Sequence, residues 1–174
     1  MKTAKEAAVK SETELAVADY LTSIGVAYSV APAGAGLIRN DNWECDGWSV
    51  LFQCPARKAA ERFDYYTGLG HRVLPGNGKP MSWANVQNPR ELERWCKQNA
   101  KPFAPFAASV LYSLILDSSA AHQSFRDWCA DYGYNNDSIA HQQTYNECCI
   151  NAEKLRRVFT REQMEHLQTL LQDY

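Results

Sequence analysis

The chain has 174 residues, 45% of them apolar, with five Trp and nine Tyr, which is enough for one ordinary domain and at most two small ones. Lys and Arg number 18 against 20 Asp and Glu, a net charge of -2, so the balance excludes bulk electrostatic binding to DNA or to an anionic membrane and leaves room only for a local basic patch. No apolar run reaches the length of a membrane span, and Met1 to Lys10 has no hydrophobic signal core, so a cytoplasmic protein without membrane contact is expected.

Residues 1–10 read as a flexible arm. Ser11 and Glu14 then have the spacing of a capping box. Val17, Tyr20, Leu21 and Ile24 follow at helical spacing, with Gly25 as terminator, which predicts a helix over 12–24. Val26 to Val30 reads as a strand and Ala31 to Gly36 as a turn or loop. A second strand is predicted from Trp43 to Gln53, with Trp43, Cys45, Trp48, Val50 and Phe52 apolar and a change of phase at Asp46 and Gly47. Arg57 to Glu61 reads as a polar connector. Phe63 to Thr67 is aromatic and β-branched, a third strand that ends at Gly68.

Pro75 to Pro80 is the strongest loop signal. Asn88, Pro89 and Glu91 open a short helix inside a loop-rich insertion over 75–101. Phe106, Val110, Leu111, Leu114 and Ile115 make a helix that is apolar over much of its circumference, the expected centre of the helical core. Ser124 starts a short helix bearing Phe125, Trp128 and Tyr132, and Gly133 ends it. Asp137 or Ser138 caps a long helix to Phe159. Thr160 and Gln163 form a second capping box, ahead of Leu167, Leu170 and Leu171. The fold class is therefore α+β: a small antiparallel β-meander with an N-terminal helix, followed by a helical half of four to five helices. Residues 11–174 are expected to form a single domain, with 11–74 as helix plus sheet and 102–174 as the helical half.

Chemistry is sparse. The six cysteines (Cys45, Cys54, Cys96, Cys129, Cys148 and Cys149) include no C-x-x-C pair, so they read as reduced, structural thiols. Cys148 and Cys149 point about 100° apart on one helix, a poor start for holding a metal. Gly68, Gly70, His71 and Arg72 hint at a phosphate loop. They lack the third glycine of a dinucleotide fingerprint and the Gly-Lys pair of a P-loop. Asp131 to Gln142 fails the calcium-loop pattern at its third, sixth and twelfth positions. The histidines His71, His122, His141 and His166 form no metal motif. No catalytic residue, cofactor or metal is assigned. Lys154, Arg156, Arg157 and Arg161 gather cations near one helix end, either to offset its dipole or to meet an anionic surface. Trp43, Trp48, Tyr65 and Tyr66 beside His71 and Arg72 offer a stacking platform for single-stranded bases, or else pack in the core.

The aromatic strands from Trp43 through Tyr66 to the T-G-x-G-H turn at His71 carry a resemblance. So do the helix Val110 to Leu114, the helix Phe125 to Trp128, and the K-L-R-R run ending at Arg157. In this order they resemble a group of small proteins from phages and mobile elements, over about two-thirds of the chain. The resemblance implies an accessory protein that binds host machinery, such as an inhibitor of CRISPR or restriction systems, and it assigns no catalytic residue. The preferred reading is thus a non-enzymatic protein that binds and sterically inhibits a host defence complex, protein or ribonucleoprotein. Tyr65, Tyr66, His71, Arg72, Arg156, Arg157 and Arg161 are the expected partner-binding residues, because exposed aromatics and arginines anchor interfaces. The alternatives are a single-stranded nucleic-acid binder and a Cys/His hydrolase.

Overall fold

The structure, a computed structural model, describes residues 4–38, 43–72 and 105–174, and side chains over 12–33, 47–65 and 105–174. Helix α1 spans Ala4–Ser23. It therefore takes in most of the expected arm, and Ser11 lies inside the helix instead of capping it. The cause is local: Ala4 to Ala8 are strong helix formers without a breaker, and an interior Ser costs only a few tenths of a kcal/mol, roughly, against Ala. The far end closes as read. Gly25 takes a left-handed φ of 70°, its N–H donates to Thr22 (3.1 Å), and the Val26 N–H donates to Leu21 (2.9 Å). This is a Schellman cap.

Strands β1 (Ala27–Ile38), β2 (Trp43–Cys54) and β3 (Ala59–Arg72) form an antiparallel sheet in the order β1-β2-β3. All three are longer than expected. The supposed loop Ala31 to Gly36 is strand, despite Pro32 and two glycines. Strand β1 lies at the sheet edge, where a proline need not break a ladder bond. Strand β3 begins at Ala59, within the expected connector, and continues past Gly68 and Gly70. The β2–β3 connection is a 3₁₀ turn, Pro55–Arg57, followed by Lys58 at a left-handed φ of 51°.

Four helices follow among the described residues. They are α2 (Ala107–Asp117), α3 (Phe125–Tyr132), α4 (Ile139–Val158) and α5 (Arg161–Leu170), with a 3₁₀ segment Ser118–His122 after α2. The starts of α3, α4 and α5 are set by residues the sequence nominated. Ser124 accepts from the Asp127 N–H, Ser138 from the His141 N–H, and Thr160 and Gln163 make the reciprocal capping box. Gly133 closes α3 with φ 69°. The short insertion helix expected from Asn88 lies outside the described residues.

The chain divides into two compact units. The first takes the residues up to Ser29, Leu51–Phe63 and Phe106–Tyr174, and the second holds the remaining parts of the strands. Strands of 12 and 14 residues far exceed the usual length of about 5–6. Each contributes to both units. In the first unit, the Phe52 ring meets those of Phe63 (6.0 Å), Phe159 (5.8 Å) and Tyr28 (5.3 Å). Val17, Val110, Leu111, Leu155 and Leu167 complete that core, all fully buried. In the second unit Trp48 and Val50 are buried.

Candidate functional site

The cations at the end of α4 are positioned by a long-range cap. The last carbonyls of a helix lack intrahelical donors and carry its negative dipole end. Here the side chain of Arg57, from the turn between β2 and β3, fills that need. Its Nε donates to the Arg157 carbonyl and its Nη2 to the Arg156 carbonyl, both at 3.0 Å. Lys154 Nζ donates to the Arg62 carbonyl (2.8 Å) and lies over the Phe63 ring.

The three arginines expected to bind a partner have different duties. Arg157 Nη1 pairs with Glu61 Oε1 at 3.2 Å and lines a groove of about 560 Å³ with Arg57, Lys58 and Glu61. Much of its charge is thus committed to the fold. Arg156 is its neighbour in sequence but points about 100° away around the helix. It lines a different groove of about 530 Å³, with Ser118, His122, Arg161, Met164, Glu165 and Gln168. Its guanidinium has no hydrogen-bond or ion-pair partner among the described residues. Arg161, 91% exposed, meets Glu165 at 3.0 Å, an (i, i+4) pair that contributes little to stability in water. Arg156 and Arg161 therefore come together, and Arg157 stands apart from them.

The other four expected residues lie on β3 and belong to the second unit. Tyr65 is half-buried. Tyr66, His71 and Arg72 are strand residues whose side chains lie outside the described residues. The stacking platform loses one member outright: Trp48 is only 7% exposed, because Trp48, Val50, Phe52 and Cys54 alternate onto the buried face of β2.

Cys54, Cys129 and Cys148 are buried free thiols, and Cys149 is half-buried and free. Burial pushes the Cys129 thiol up. It pushes Cys148 up to about 12, helped by the negative charges of Asp117 and Glu147. Both hold their protons at neutral pH, and the thiol form is a poor nucleophile. Cys129 and Cys148 pack with Trp128 and Ala120, against Phe125, Tyr145 and Cys149. The Tyr145 hydroxyl donates to the Gln123 carbonyl at 2.6 Å, and burial, then Cys149, raises its pKa. Cys96 and the Cys45 side chain lie outside the described residues. No three His, Cys, Asp or Glu side chains gather as a metal site would require among the described residues.

One feature was not read from the sequence. A third groove, of about 410 Å³, is lined by Tyr112, Ile115, Leu116, Ser119, Tyr132, Gln168, Leu171 and Gln172. Leu116 is 50% exposed and Tyr132 48%. The burial pattern of α2 accounts for it. Val110, Leu111 and Leu114 fill its buried stripe, so Tyr112 and Leu116, four residues apart, must share another face.

No family model, no curated protein and no solved structure matches this chain. No helix among the described residues is long and apolar enough to cross a membrane.

Proposed function

We propose that this chain is a non-enzymatic accessory protein of a phage or mobile element that binds a host defence complex, of CRISPR type, and blocks it by occupying its surface. The observation that carries the reading is the exposed pair Arg156 and Arg161 on a capped helical junction, with an apolar groove beside it. Arginine and aromatic side chains on a rigid support are what interface hot spots use. The resemblance to small phage proteins supplies the partner class. The thiols weigh against a hydrolase, since Cys129 and Cys148 are both buried and pushed up. The burial of Trp48 weighs against a base-stacking sheet.

The test is affinity capture from host lysate with the tagged full chain, together with phage plating on a CRISPR-proficient host that expresses it. The reading expects a nuclease or guide-complex component in the capture and restored plating. Both effects should weaken in an Arg156→Ala, Arg161→Ala double variant. Capture without any defence component, and plating unchanged, would remove the proposal. Salt separates the nucleic-acid alternative. Binding that neutralises several phosphates falls steeply, about tenfold or more, between low and moderate salt.

A further inference from the structure

The apolar groove and the Arg156 groove adjoin. Gln168 lines both, and Ser118 and Ser119 are consecutive on their opposite wall. Along α5 the floor is one stripe, Arg161, Glu165 and Gln168, spaced at four and three residues as one helix face requires, and Gln172 follows in the turn after the helix. From Arg161 to Leu170 the helix rises about 14 Å, and the lining continues two residues beyond it to Gln172. An extended peptide covers that distance with about five residues.

We propose that the two grooves form one trough that takes a peptide segment of a partner protein. An aliphatic or aromatic side chain of the segment sits among Tyr112, Leu116 and Tyr132, and one carboxylate sits on Arg156 and Arg161. The charge of the trough selects this occupant. The Arg156 guanidinium has no partner among the described residues, and Glu165 offsets Arg161, so Arg156, Arg161 and Glu165 together carry about one net positive charge. One carboxylate matches one such charge. A nucleic-acid strand places a phosphate about every 3.4 Å and requires a run of cations, which the apolar half does not provide. Arginine also takes a carboxylate bidentately, which fixes the register of the segment. The inference rests on the reading of the chain as a binding protein and names the chemistry of what it binds.

The test starts from the full chain, immobilised and panned against a random peptide library displayed on phage. The enriched peptide is then synthesised with a fluorescent label and titrated by polarisation. The proposal expects enriched sequences that pair an apolar residue with Asp or Glu within about five positions. Arg156→Glu and Leu116→Glu should each weaken binding by about tenfold or more, with Arg126→Glu as the silent control. Exchanging the peptide's acid for Lys should restore binding to Arg156→Glu and abolish it with the wild type, a reversal that a misfolded variant cannot give. Four results overturn the proposal: no enrichment, enrichment without acidic residues, indifference to Arg156→Glu, or a trough occupied by a second copy of the chain. If peptides enrich as expected but no defence component is captured from lysate, the functional reading falls and the trough stands. If a defence complex is captured equally by wild type and by Leu116→Glu, the trough falls and the function stands.

Discussion

Cys148 shows how a single side chain can look reactive in sequence and be inert in place. Its thiol is buried on α4 beside Cys129 and Trp128, and its pKa rises to about 12. The unfolded chain loses this proton first as pH climbs past the ordinary thiol value of 9.0. The stability tied to the neutral thiol is complete below that value and drains away toward about 12. The denaturant midpoint of the wild type should therefore fall between about pH 8 and about pH 10.5, and more steeply than that of Cys148→Ala. Thiol labelling of the native protein should spare Cys148 until it unfolds. Gly133 is a second case. Its φ of 69° is left-handed, and an added Cβ meets nothing within 4 Å, so Gly133→Ala carries a conformational cost alone. That cost is about 1 kcal/mol, readable as a lowered midpoint with an unchanged slope.

The last three helices were legible because the sequence spelled out their ends. Ser124, Gly133, Ser138 and Thr160 all act as caps, so α3, α4 and α5 fall where the pattern places them. Thr160→Ala should cost about 1 kcal/mol by chemical denaturation, because it opens both halves of the capping box. The strands were less legible for a physical reason. Ala31 to Gly36 has poor intrinsic strand preference, and only pairing with β2 and a position at the sheet edge makes it a strand. The beginning of α1 was missed because a plausible cap at Ser11 outweighed the helix formers before it. For the candidate site, the arginines were visible as a cluster. Their division between two grooves follows from the angle between neighbouring helix residues. The packing of Arg57 against that helix end does not, since the two lie a hundred residues apart in the chain. The groove at Leu116 depended on which face of α2 is buried, and an almost wholly apolar helix does not declare that face in sequence.

At the scale of the whole molecule, the core of the first unit is an aromatic junction of sheet and helices. Phe52 is fully buried and faces Phe63 and Phe159. Phe52→Ala should cost about 3–5 kcal/mol, a large part of the 5–15 kcal/mol typical of a domain, and should show as a large drop in melting temperature. The Arg57 cap has a kinetic meaning as well. It ties a hairpin turn to a helix end across 100 positions of sequence, so that clasp can shut only after both partners have formed and met. Losing it should spare the route into the native state and loosen the way out. Stopped-flow traces of Arg57→Ala should show refolding near the wild-type rate and unfolding about fivefold faster, for a bond pair worth about 1 kcal/mol. Equal slowing of refolding would instead place the clasp early, among the contacts that nucleate the chain.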